Sequence, residues 1–125
     1  MIADTTFVSD LLKERRLGRS AEATSFFHQH RPQKIRTTII TAGELLVMFD
    51  NSTDAWEWLK PWTLYRLHPG IVEAAADIDR ALRRRGHRLG ENDNWIAGFA
   101  RYYREPLISR DKAFDGVAGV RRMVY

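Results

Sequence analysis

Asp4, Glu44, Asp93 and Asp111 lie far apart in the chain, yet each stands at the start of an amphipathic stretch, and all but Asp93 closely follow a strand-like run. In an α/β fold such junctions gather along one edge of the sheet. Two carboxylates ~5 Å apart at an effective dielectric of ~20 repel by about 3 kcal/mol, or roughly two pKa units. Four therefore stay ionised together only beside a counter-charge; otherwise some of them hold protons. All-oxygen donors suit Mg²⁺ or Mn²⁺. Such a cation can polarise a phosphate and supply hydroxide, and a pair of cations can hold both attacking and leaving oxygens. Each acid also has an ordinary use. Asp4 can cap a helix, Thr41-Ala-Gly-Glu44 reads as a capping box, and Asp93 and Asp111 near helix starts complement the dipole.

The elements that must position these acids are legible in outline. Ile2-Ala3 is a short buried strand ending at Asp4. Thr5 or Thr6 can cap a helix with Phe7, Val8, Leu11 and Leu12 on its apolar face, broken at Gly18. Ser20 opens a second helix, which Arg31-Pro32 stops. Arg36 to Ile40 is β-branched and reads as a strand, followed by a helix capped by Thr41. A Trp-rich helix from Ala55 to Leu59 precedes a strand from Trp62 to Leu67. After Pro69-Gly70, Ile71, Val72, Ala75, Ile78 and Leu82 share a helical face. Asn92 caps a further helix bearing Trp95, Ile96, Phe99, Ala100 and Tyr103. Pro106 to Ser109 is a fourth strand, Arg110 to Phe114 a helical turn and Arg121 to Tyr125 a last strand. Strands alternating with amphipathic helices mean βαβ units and a mostly parallel sheet of four to five strands flanked by helices.

At 125 residues the chain is expected to form one domain, spanning 1–125. The hydrophobic fraction of 44% and charged fraction of 29% are those of an ordinary soluble globular protein. No apolar run is long enough to cross a membrane, and the first residues do not read as a signal peptide. With no cysteine there is no disulfide or thiolate metal site, which agrees with a cytoplasmic location. The net charge is +4, and 16 of the 20 basic residues are Arg, the side chain that grips phosphate as a fork. An arginine-rich exterior around an acidic cleft suits a nuclease.

Four stretches then resemble one family, the PIN-domain ribonucleases, and within it the VapC-type toxins of type II toxin–antitoxin pairs. Met-Ile-Ala-Asp4-Thr-Thr-Phe-Val resembles the opening strand and its first acid. Thr-Ile-Ile-Thr-Ala-Gly-Glu44-Leu-Leu resembles the second acidic motif and Glu-Asn-Asp93-Asn-Trp-Ile-Ala the third. Leu-Ile-Ser-Arg-Asp111-Lys-Ala-Phe, then Gly119-Val120, resembles the ending. The likeness covers essentially the whole chain. It implies a three-layer PIN-like fold and a metal site of Asp4, Glu44, Asp93 and Asp111. It further implies Mg²⁺- or Mn²⁺-dependent cleavage of RNA by a metal-activated water, a homodimer and a cognate antitoxin. Thr6 stands where the family often has Asn or Ser, and its hydroxyl can do the same orienting work. Asp115, one turn beyond Asp111, is a candidate fifth acid, though its position reads rather as surface.

Arg80, Arg83, Arg84, Arg85, His87 and Arg88 form the densest basic run. It leads toward Asp93, so Arg83, Arg84, Arg85 and Arg88 are candidates for guiding RNA phosphates, or they are a solvated helix end. Arg15, Arg16 and Arg19 make a second, weaker patch. Trp56, Trp58 and Trp62 suit core packing or a groove for a partner helix better than base stacking. None of the four histidines has a partner recognisable by spacing for metal-free acid–base chemistry. The competing reading is a non-catalytic PIN-like module that binds RNA or protein. A receiver-type phosphoacceptor domain is a poorer match, because Asp4 is followed by Thr-Thr rather than by a second acid.

Overall fold

The computed structural model describes residues 1–30 and 34–125. The helix stop expected at Arg31-Pro32 lies outside the described residues.

Among the described residues, five strands of two residues each carry the fold: β1 (Ile2–Ala3), β2 (Thr37–Thr38), β3 (Leu64–Tyr65), β4 (Leu107–Ile108) and β5 (Arg122–Met123). β1, β4 and β5 form one parallel sheet and β2 and β3 another. A parallel bridge between Ile2 and Arg36 joins them, with the Ala3 amide donating to the Arg36 carbonyl at 2.7 Å and the Arg36 amide donating to the Met1 carbonyl at 2.9 Å. The combined order is β3-β2-β1-β4-β5, parallel throughout. Successive strand residues point to opposite faces. Ile2 and Leu107 accordingly enter one core with Ile71, Ile78, Ile96 and Phe99, whereas Ala3 and Ile108 enter the other with Phe7, Val8, Leu45 and Leu59. Both faces are covered, as a parallel sheet requires.

The first face carries α5 (Pro69–Arg84) and α6 (Glu91–Tyr103); the second carries α1 (Thr5–Arg16), α2 (Glu22–Gln29), α3 (Ile39–Met48) and α4 (Ser52–Leu59). α5 has Pro69 at its first position, where the missing N–H costs nothing, and the His68 ring accepts from the Gly70 amide at 3.2 Å. Its Ile71, Ala75, Ile78 and Leu82 are buried along one stripe. α6 crosses it closely: a Cβ on Gly98 would lie 2.9 Å from Ala75 Cβ and 3.1 Å from the Ile71 carbonyl oxygen. No helix among the described residues is long and apolar enough to cross a membrane.

Several element boundaries differ from those the sequence suggests. α3 begins at Ile39, so Ile39 and Ile40 leave the expected strand, and the cap is Thr38, whose hydroxyl accepts from the Thr41 amide at 3.2 Å. Thr41 is thus an interior residue, and Thr41–Glu44 is not a capping box. Asp4, not Thr5 or Thr6, caps α1. α2 starts at Glu22 rather than Ser20, and its free amides are met from elsewhere: the Glu14 carboxylate accepts from Ala21, Ala23 and Thr24 at 2.9–3.1 Å. Those bonds outweigh the effect of burial and hold Glu14 below the usual carboxylate range. α4 begins three residues before Ala55, capped by Asn51. α6 opens at Glu91 after Gly90, so Asn92 is not its cap and Asp93 is its third residue. The turn after β4 is a 3-10 helix, Lys112–Gly116.

Candidate active site

The chain runs outward from β1 through β2 to β3, then returns to lay β4 on the other side of β1. The carboxyl ends of β1 and β4 therefore frame a topological switch point, where parallel sheets open a crevice. Asp4 follows β1 directly, and its amide donates to the Ile108 carbonyl at 3.1 Å. Ser109 follows β4, and its hydroxyl accepts from the Asp111 amide at 3.0 Å. Glu44 arrives from α3 and Asp93 from the first turn of α6.

Asp4 is buried, 5% exposed, and its Oδ1 accepts from the Phe7 amide at 2.7 Å. Burial drives its pKa up to about 6 against the pull of the Ser109 hydroxyl and the Phe7 amide, and the charges of Asp93 and Asp10 add to the rise. Asp93 is raised too, first by burial, then by the charges of Asp111 and Glu44. The four acids are thus linked electrostatically through Asp93. Glu44 is held by Thr5, whose hydroxyl donates to Oε1 at 2.7 Å. That spends Thr5's one proton, so in the 3.1 Å contact between the Thr5 and Thr41 hydroxyls, Thr41 is the donor. Asp111 caps the 3-10 helix, its Oδ1 accepting from the Ala113 amide at 2.9 Å.

As placed, no three His, Asp or Glu side chains among the described residues stand close enough to hold a metal ion. The donor chemistry nevertheless fits a hard divalent cation, since every acid offers oxygen. Glu44 and Asp111 are each anchored through one oxygen, which leaves a second for a cation.

Other expected residues fall elsewhere. Thr6 is exposed, and the hydroxyl that reaches one of the four acids from this segment is Thr5's. Thr5 and Ser109 were visible in the sequence only as neighbours of Asp4 and Asp111. Asp115 is exposed and bound by Arg122 through two 2.7 Å bonds. In the basic run, Arg83 and Arg88 pair with Asp79 at 3.1 and 3.3 Å, Arg85 donates to the Gly116 carbonyl at 3.1 Å, and Arg84 is exposed. Trp58 and Trp62 line an open groove of about 560 Å³ with Leu11, Arg15, Phe27 and Ile35; none of the four acids lines it. The Arg15 guanidinium lies 5.5 Å from the Trp58 ring centroid, and the buried Trp58 Nε1 has no hydrogen-bond partner among the described residues.

The model of the PIN domain family matches residues 1–120, and the chain belongs to that family. The resemblance read from the acidic motifs is borne out. The fold is shared with solved toxin–antitoxin structures. It superposes on a chain of VapBC2 from Rickettsia felis, bound to a DNA fragment from its promoter, with a TM-score of 0.84 and 13% identity, covering 99% of this chain and 97% of that one. For DNA-bound VapBC from Salmonella typhimurium the TM-score is 0.82 at 16% identity, covering 98% and 96%. For VapBC-5 from Mycobacterium tuberculosis, of the VapBC family of toxin–antitoxin systems, it is 0.61 at 25% identity, covering 73% and 82%. No curated protein sequence matches the chain.

Proposed function

We propose that this PIN-domain protein is a metal-dependent endoribonuclease, the toxin of a VapC-type toxin–antitoxin pair. The observation that carries the reading is the placement of Asp4 directly after β1 and of Asp111 just beyond β4, at the switch point between these strands. Asp4, Glu44, Asp93 and Asp111 would hold Mg²⁺ or Mn²⁺. A divalent cation bound there supplies a polarised phosphate and an acidified water. The chain itself contributes orientation. Thr5 and Thr41 fix Glu44, the Phe7 amide and Ser109 fix Asp4, and the fold excludes water from Asp4. Asp93, in the first turn of α6, is raised in pKa by burial and by the charges of Asp111 and Glu44.

Two further features support the toxin reading. Solved chains of the same fold come from toxin–antitoxin complexes. The apolar groove between α1, α2 and α4, lined by Trp58, Trp62 and Phe27 and flanked by Arg15 and Arg19, suits a helix of an antitoxin. A homodimer acting on RNA in the cytoplasm completes the proposal.

One observation favours the non-catalytic alternative, a PIN-like module that binds RNA or protein: the acids as placed do not form a ready cation cage. Incubation of the purified protein with single-stranded RNA separates the two. The nuclease is expected to cut RNA with Mn²⁺ or Mg²⁺, leaving 5′-phosphates, and to stop in EDTA. Binding without turnover in either metal establishes the module, and cleavage that persists in EDTA rules out the metal mechanism.

A further inference from the structure

Arg110 lies between Ser109, whose hydroxyl faces Asp4, and Asp111. The loop that presents two residues of the acidic site therefore also presents a guanidinium. Its carbon sits 4.3 Å from the Tyr125 ring centroid, and its Nε donates to the Tyr125 carbonyl at 3.3 Å. Nη1 and Nη2 lie 3.8 and 3.5 Å from the Asp10 and Glu22 carboxylates. Tyr125 is itself held: its phenol donates to Asp10 Oδ2 at 2.8 Å, and its ring stands edge-on to Phe7 at 4.8 Å. Phe7 is the residue whose amide donates to Asp4 Oδ1, and Asp10 is close enough to Asp4 for its charge to be felt there. Arg110 thus stands in the loop between β4 and the 3-10 helix, directly before Asp111, with its guanidinium held over Tyr125.

Two details separate Arg110 from a structural ion pair. Its carboxylate contacts are 3.5 Å or longer, beyond a good hydrogen bond, so its terminal N–H groups stay available to a closer acceptor. Its side chain is also 44% exposed. Arg122 is the contrast, with both faces of its fork taken by Asp115 at 2.7 Å. A planar fork supported by a ring and with free donors matches two oxygens of a phosphate.

We propose that Arg110 is a positioning residue that grips a backbone phosphate of single-stranded RNA beside the one cleaved, and that Tyr125 and Asp10 hold its guanidinium in place. The proposal rests on the endoribonuclease reading and adds what that reading needs, a cation next to four acids that would otherwise repel a polyanion.

The test is binding of a fluorescein-labelled single-stranded RNA by anisotropy in EDTA, where metal-dependent cleavage is silent. Arg110→Ala is expected to weaken binding about tenfold and to make the salt dependence shallower by about 0.7, the loss of one phosphate contact on a single strand. Arg110→Lys should restore the slope. With Mn²⁺, Arg110→Ala should raise KM about tenfold while kcat stays within about threefold. Binding by Arg110→Ala within about twofold of the unaltered protein overturns the proposal. So does an equal loss of binding and of Tm in both variants, which would make the role packing on Tyr125. If the intact protein binds RNA through Arg110 yet cuts none, the nuclease reading fails and only the phosphate contact of Arg110 stands. If it cuts RNA and Arg110→Ala is unimpaired, the reverse holds.

Discussion

Asp4 serves two ends with one side chain. Its Oδ1 caps α1, and the same carboxylate is buried beside other acids, so the fold keeps a costly charge where a cation could use it. A pKa raised from the ordinary 3.8 to about 6 means the folded state favours the protonated acid. The stability this contributes is full below about pH 4 and is lost as pH rises through about 6. Asn caps a helix as well as Asp does and has no charge to strand. In EDTA, Asp4→Asn should therefore match the unaltered protein near pH 4 and exceed it at pH 7.5 by up to about 3 kcal/mol, from about two pKa units at 1.36 each. Chemical denaturation at both pH values checks this; a variant less stable at pH 7.5 contradicts it. At this scale type and order suffice to single out the four acids as candidates. Their supports were not legible. Thr5 and Thr6 are adjacent and chemically alike, and only the helix geometry decides that Thr5 meets Glu44. Glu44 loses its capping-box alternative because Thr38, a β-branched residue in a strand-like run, ends that strand and caps α3.

The elements are short where they meet the site and long where they cover it. Two-residue strands suffice because neighbouring amides and carbonyls, such as those of Arg36, Asp4 and Ser109, extend the pairing beyond them. Runs such as Arg36 to Ile40 look longer as strands than they are, since β-branched residues also fill the first turn of a helix facing a core. The start of α2 was hidden for another reason: its amides are met by Glu14, which lies one helix earlier. The α5–α6 crossing was not legible either, because nothing local marks Gly98 as a contact. Its space is filled by Ala75 and the Ile71 backbone. Gly98→Ala should consequently destabilise the protein by about 1–3 kcal/mol, overpacking prevailing over the better helix propensity of Ala. Thermal or chemical denaturation decides it, and a gain in stability would show that the helices part freely. Since α6 carries Asp93, the same substitution should reduce RNA cleavage.

For the molecule as a whole, the strand order β3-β2-β1-β4-β5 sets the segments that carry Asp4 and Asp111, 107 positions apart, at adjacent strand ends. The alternation of strands and helices announced a parallel sheet, and the acidic motifs announced the family; the order of strands needs the long-range pairings themselves. Asp93 shows the difference. No strand leads into it, and it joins the others because α6 packs on α5 with its first turn toward the switch point. The groove at Trp58 is a second property of the whole, built from α1, α2 and α4 together. The central claim is that these four carboxylates close on one hard cation. Titration of the purified protein with Mn²⁺ at pH 6, followed by calorimetry in two buffers of different ionisation heat, tests it most directly. The account predicts Mn²⁺ binding with net proton release, because Asp4 is about half protonated there, together with loss of binding in Asp93→Asn. Equal Mn²⁺ binding by the unaltered protein and Asp93→Asn, or none by either, would contradict it.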